Sequence, residues 1–211
     1  MSNLSQGPAS TRLQRLKAQP RQPGEASFFW YEGGFKSEAV KVLPGEYFVM
    51  NEEILIMTTL GSCIAACLWD RNVKVGGLNH FMLPEGGDGS GRYGSYAMEV
   101  LINQMMKLGA QRASMEAKIF GGGAVIGGMI SSKVGERNTE FVMHYLKTER
   151  IPVVSKDVLD IYPRKVCFMP VSGKAMVKRL ASGNTEALQA QDRAAAQRAA
   201  PETSGGSVDL F

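Results

Sequence analysis

Apolar residues recur along this chain in short runs separated by Gly, Pro, Asn and Ser. The runs ILIMTT (54–59), IAACLWD (64–70), VKVGGLNHFML (73–83), AKIFGG (117–122), IPVVS (151–155) and RKVCFMPV (164–171) carry the β-branched and aromatic residues of strands. Two segments follow a helical rhythm instead. In YGSYAMEVLINQMMKLGA (93–110), Tyr93, Ala97, Val100, Leu101, Met105 and Leu108 share one face, and Gly109 is placed to end the helix. In NTEFVMHYLKTE (138–149), Phe141, Val142, Tyr145 and Leu146 form the apolar stripe, with Asn138 or Thr139 as the cap. Strands and helices without strict alternation predict an α+β fold, a layered α/β sandwich with mixed β-sheets packed by two main helices.

Composition sets the boundaries. Residues 1–26, rich in Gln, Arg, Pro and Ser, read as a disordered basic tail, and 181–211 as a low-complexity flexible tail ending in GGSVDLF. One domain of 27–180 lies between, opened by FFWYEGGF (28–35), an aromatic segment expected to pack on the domain edge. The net charge of +4 comes mostly from Arg12, Arg15, Lys17 and Arg21, against which Glu25 is the only acid before Ser27. A solvated tail of this kind does not amount to the basic, aromatic-interleaved face of a nucleic-acid binder. No run approaches the roughly 20 apolar residues of a membrane span, and the N-terminal stretch lacks a signal-peptide core. The expectation is a cytoplasmic protein, with no membrane insertion, whose three cysteines stay reduced.

The segment LGSCIAACLWDRNVKVGGLNH (60–80) concentrates the candidate chemistry. If Arg71 and Asn72 form a two-residue hairpin loop, Asp70 pairs with Val73 and Cys63 falls directly opposite His80. Small neighbours (Ala65, Cys67, Gly76) would leave room beside that pair, and a bulge at Gly76-Gly77 would spoil it. A thiol beside an imidazole suits nucleophilic attack on an acyl carbon, with the histidine moving the proton. Backbone N–H groups at Gly61, Ser62 and Cys63 are candidates to hold the oxyanion, and Thr58, Thr59 or Asn79 to orient His80. The competing reading is a buried structural thiol. A zinc site lacks its second ligand pair; Cys67 and Cys167 read as core thiols and His144 as an exposed helix residue.

Several segments together resemble the bacterial chemoreceptor glutamine deamidases, the CheD family. They are LPGEYFV (43–49), TTLGSCIAACLWD (58–70), GGLNHFMLP (76–84), RYGSYAMEVLINQMMKLGA (92–110), AKIFGGG (117–123), GERN (135–138) and YPRKVCFMPVSGKAMVKRL (162–180). The resemblance implies a protein-glutamine glutaminase that converts receptor glutamines to glutamates, with methyl-ester hydrolysis as a side activity of the same chemistry. It places the nucleophile on Cys63, the base on His80 and the third group on a threonine just upstream, Thr58 here, with Thr59 as the alternative. It implies no metal or organic cofactor, and a fold like that of cytotoxic necrotising factor-type cysteine deamidases. The implied partners are the cytoplasmic helices of chemotaxis receptors and a CheC-type phosphatase. A non-catalytic adaptor that binds the same partners is the competing function. Gly121, Gly122 and Gly123 would suit either a tight turn or close approach of a receptor helix.

Overall fold

The run IAACLWD is apolar at almost every position because both of its faces are covered. In the computed structural model, which describes residues 11–84, 91–125 and 129–181, this run is strand β5 (Ile64–Asp70). Its odd-numbered Ala65 and Cys67 join an apolar core with Phe48, Ile54, Ile56, Leu60, Val166 and Phe168. Its even-numbered Ile64, Ala66 and Leu68 join a second core with Leu101, Ile102, Met105, Val142 and Leu146.

Those two cores separate three layers. One sheet has the order β1 (Phe28–Glu32), β2 (Ser37–Lys41), β4 (Leu55–Leu60), β9 (Arg164–Phe168), β10 (Ala175–Arg179). The other has the order β3 (Tyr47–Met50), β6 (Val75–Asn79), β5, β7 (Met115–Gly121), β8 (Val153–Val158). Both are mixed: β2 with β4 and β7 with β8 run parallel, and the remaining neighbours antiparallel. Helices α2 (Gly94–Lys107) and α3 (Met129–Thr148) cover the outer face of the second sheet. This is the α+β sandwich of mixed sheets and two main helices expected from the sequence. Gly109 ends α2 as expected, with φ of 93°. The Ala110 N–H reaches the Met105 carbonyl and the Gly109 N–H that of Met106, the paired bonds of a glycine-capped terminus.

Two expectations need correction. Residues 11–26 are not a disordered basic tail. Helix α1 (Thr11–Ala18) buries Leu13 and Leu16 in the inter-sheet core. Its two arginines pair with acids distant in sequence, Arg12 with Glu38 and Glu52 and Arg15 with Glu52, and beyond the helix Arg21 pairs with Glu25. Nor does the second helix start at Asn138. It begins at Met129, and Asn138 lies buried within it. Gly135 and Asn138 are poor helix formers, and both are used for contacts described below. FFWYEGGF does lie at a sheet edge, as β1 and its turn; Phe29 is buried while Phe28, Tyr31 and Phe35 are exposed. Residues 1–10 and the C-terminal segment 182–211, with its GGSVDLF end, lie outside the described residues.

Candidate active site

Asp70 decides how the β5–β6 hairpin closes. Its Oδ1 accepts the backbone N–H groups of Asn72 and Val73, and Lys74 takes the left-handed conformation with φ of 57°. The turn therefore spans residues 71–74, and Asp70 pairs with Val75, not Val73. The register continues without a bulge through Trp69↔Gly76, Leu68↔Gly77 and Cys67↔Leu78, and the Ile64↔Phe81 bridge continues it. Cys63 is thus not directly opposite His80. That position belongs to Ala65, and Cys63 is the diagonal neighbour of His80 on the same face. A shift of two residues preserves the face, whereas a shift of one would have reversed it. The paired glycines sit where no side chain fits. A Cβ on Gly76 would lie 2.6 Å from the Pro170 carbonyl oxygen, and one on Gly77 2.8 Å from Leu101 Cδ1.

The face shared by Cys63 and His80 looks across at β4. There Ile56, Thr58 and Leu60 alternate inward. Thr58 Oγ1 donates to the Val42 carbonyl at 2.8 Å and lies 2.9 Å from His80 Nδ1. With its proton committed to Val42, the hydroxyl presents a lone pair to His80, so the network assigns the ring proton to Nδ1. Nε2 then carries the lone pair of a base, and no hydrogen-bond partner satisfies it among the described residues. Burial pushes the His80 pKa down to about 4, with hydrogen bonding to the Val42 carbonyl opposing. The imidazole is therefore neutral at pH 7. Its backbone is held as firmly: the His80 N–H bonds the Glu46 carbonyl at 3.0 Å, and its own carbonyl accepts from Gly45 N–H at 2.7 Å. Of the threonines considered, Thr58 makes the contact. Thr59, only half-buried, alternates to the opposite face of β4. Asn79 instead accepts the Ala66 N–H with its side chain and contacts Met98.

Cys63 ends the loop Gly61–Ser62 that joins the two sheets, and its residue surface is 2% exposed. The carbonyls of this loop are all taken. Gly123 N–H bonds that of Gly61 at 2.8 Å, Gly122 N–H bonds that of Cys63 at 2.8 Å, and Asn138 Nδ2 donates to that of Ser62 at 3.1 Å. The close approach that the glycines permit is therefore to the chain's own Cys63 loop. A Cβ on Gly121, whose φ is 113°, would stand 2.1 Å from the Cys63 carbonyl oxygen. This glycine strap, Gly121–Gly123, is held in turn by the loop after β8, whose Leu159 N–H bonds the Gly121 carbonyl. Fully buried Arg164 fixes that loop by donating to the Leu159 and Tyr162 carbonyls at 2.6 and 3.0 Å and to Asp157 at 2.8 Å. Asp160 of that loop accepts the Ala124 N–H. Cys67, the other thiol diagonal to His80, sits deep among apolar neighbours, and burial drives its pKa far up. Cys167 is also buried and His144 is exposed, as expected. Among the described residues, no three His, Cys, Asp or Glu side chains are grouped to hold a metal ion, and no helix is long and apolar enough to cross a membrane.

Residues 82–179 match the family model described as CheD chemotactic sensory transduction, a match that starts two residues after His80. Relatives cover the rest. The chain is 62% identical over 208 residues to the probable chemoreceptor glutamine deamidase CheD 1 of Albidiferax ferrireducens, covering 97% of this chain and 89% of that one. The chain belongs to the CheD family. The probable chemoreceptor glutamine deamidase CheD 1 of Dechloromonas aromatica is 51% identical, covering 86% of this chain and 93% of its own. The CheD protein of Herminiimonas arsenicoxydans, which carries the same description, is 47% identical over 88% of this chain and 95% of its own. The family resemblance drawn from short segments thus extends over nearly the whole length.

Sequence reasoning missed two contributors to this site. The Val42 carbonyl leaves no signal in the residue type. Asn138 did leave one, a buried polar residue inside an apolar stripe, but it reads equally as a helix cap.

Proposed function

We propose that this protein is a chemoreceptor glutamine deamidase in which Cys63 is the nucleophile, His80 the base and Thr58 the residue that orients His80. The observation that carries the reading is the Thr58–His80 contact across the two sheets, with the unpartnered Nε2 buried on the face that Cys63 shares. The family membership supplies the substrate class, since the relatives are described as acting on chemoreceptor glutamines.

In this reading Cys63 Sγ attacks the glutamine Cδ while its proton passes to His80 Nε2. The tetrahedral oxyanion is held by backbone N–H groups of the Ser62–Cys63 turn. The C–N bond breaks as His80 returns the proton to the leaving amine, releasing ammonia. Water, deprotonated by His80, then attacks the thioester, and the C–S bond breaks to give glutamate and the regenerated thiol. A buried neutral imidazole suits the first step, because the thiolate formed beside it provides the counter-charge that burial denies an isolated imidazolium. Glutamyl methyl esters on the same receptors would enter by the same acyl chemistry.

In this reading the protein works in the cytoplasm, beside the receptors' cytoplasmic helices. The deamidase domain extends from α1 through β10. A CheC-type phosphatase partner rests on the family resemblance alone. The test is a receptor cytoplasmic fragment incubated with the protein: conversion should add about 1 Da per site and release one ammonia, as amide hydrolysis requires. Tight binding without any mass change would favour the adaptor reading instead.

A further inference from the structure

We propose that Asn138 is a positioning residue for the acyl-transfer step, one that acts from α3 by turning the Cys63 N–H toward the reacting carbonyl. This rests on the deamidase reading above.

The inference follows from peptide geometry. In a trans peptide the carbonyl of one residue and the N–H of the next point in opposite directions. Pinning the Gly61 and Ser62 carbonyls toward the glycine strap and α3 therefore turns the N–H groups of Ser62 and Cys63 the other way. The next N–H along, that of Ile64, is drawn off to the Phe81 carbonyl. The pins on Gly61 and Cys63 are backbone N–H groups of Gly123 and Gly122. Only the middle pin, on Ser62, is made by a side chain. It sets the peptide whose N–H belongs to the nucleophile itself.

Asn138 suits this work chemically. Its amide nitrogen carries two hydrogens and meets two carbonyls, Ser62 at 3.1 Å and Met82 at 2.8 Å. Both contacts need a donor, so the amide has only one sensible orientation. The second contact ties the segment leaving His80 to the loop entering Cys63. Its Oδ1 is left buried without a hydrogen-bond partner among the described residues. A buried orphan acceptor, on a residue of modest helix propensity in mid-helix, costs stability that works against the gain from the two donated bonds. The helix is brought close enough by Gly135, which shares a face with Asn138 and lies against the Gly122 backbone.

The test uses the full chain and a chemoreceptor cytoplasmic fragment, with kcat and KM from mass spectrometry and Cys63 reactivity from iodoacetamide labelling. Alkylation involves no oxyanion, and His80 keeps its bonds to Thr58, Gly45 and Glu46 in the variant. Asn138→Ala should lower kcat by about 10- to 100-fold with KM little changed, less than the roughly 10²–10³ lost when an oxyanion donor is removed outright. The pH profile of Cys63 alkylation should be unaltered. Wild-type kcat in Asn138→Ala, or kcat and alkylation falling in parallel, would overturn the proposal. If the alanine variant does not fold, Asn138→Asp keeps the volume and, when protonated, one donor. Its kcat should recover relative to wild type as pH falls, and a pH profile identical to wild type would overturn the proposal. A wild-type protein that leaves the receptor mass unchanged sinks the deamidase reading, and this proposal with it. An active wild type with equally active Asn138 variants sinks the proposal alone.

Discussion

Thr58 and His80 meet at 2.9 Å across the space between two sheets, although 22 positions separate them in the chain. The contact joins β4, the strand that precedes Cys63, to the end of β6, which pairs with the strand that follows Cys63. Removing the hydroxyl should therefore leave His80 buried but free to choose its tautomer. Thr58→Val is expected to lower kcat by about tenfold or more, part of the 10²–10⁴ that a positioned general base contributes. Thr58→Ser should retain most of the activity and Thr59→Ala nearly all of it. Steady-state kinetics on a receptor fragment checks all three.

Burial of His80 also makes stability depend on pH. Its pKa falls from 6.5, the value of a solvated histidine, to about 4 in the fold. The unfolded chain therefore takes up a proton below about pH 6.5 that the native state refuses until about pH 4. This contribution is fully present above pH 6.5 and is lost as pH falls toward 4. Between pH 7.5 and pH 5 the loss should be on the order of 2 kcal/mol in urea titrations, at 1.36 kcal/mol per pKa unit. His80→Gln should flatten that part of the profile. An unchanged slope would contradict the burial.

Gly135 offers a prediction whose sign is unusual. Replacing a mid-helix glycine by alanine ordinarily stabilises by about 1 kcal/mol. Here the added Cβ would lie 2.3 Å from the Gly122 carbonyl oxygen, and backbone cannot give way as a flexible side chain can. Gly135→Ala should instead destabilise by about 1–3 kcal/mol, the usual range for overpacking. It should also lower kcat, because Gly122 holds the Cys63 carbonyl.

Helix α1 belongs to the folded domain. Leu16 is 1% exposed within the inter-sheet core, so Leu16→Ala should cost about 2 kcal/mol or more. Equilibrium unfolding checks this, and a neutral result would return the segment to a solvated tail.

How much of this was legible beforehand differs from residue to residue. The strand IAACLWD and the helix ending at Gly109 declare themselves, since periodicity and a positive-φ cap are local properties. Cys63 and His80 share one face in both the expected and the observed register, because the two differ by an even number of residues. The turn itself was misread because Asp70, outside the presumed loop, bonds the backbone of Asn72 and Val73 and lengthens it. Helix α1 escaped notice because its buried surface rests on Leu13 and Leu16 amid cations whose partners, Glu38 and Glu52, are remote in sequence. Asn138 reads as a cap because a sequence does not reveal that its neighbours in space are Ser62 and Met82.

The catalytic assignment itself turns on which of the two thiols diagonal to His80 reacts. The receptor fragment should be incubated in H₂¹⁸O with wild type, Cys63→Ala and Cys67→Ala, and each glutamine followed by mass. Wild type and Cys67→Ala should convert sites with a gain of about 3 Da, as hydrolysis through a thioester with solvent oxygen requires, and Cys63→Ala should convert none. Conversion by Cys63→Ala at the wild-type rate would contradict the assignment outright.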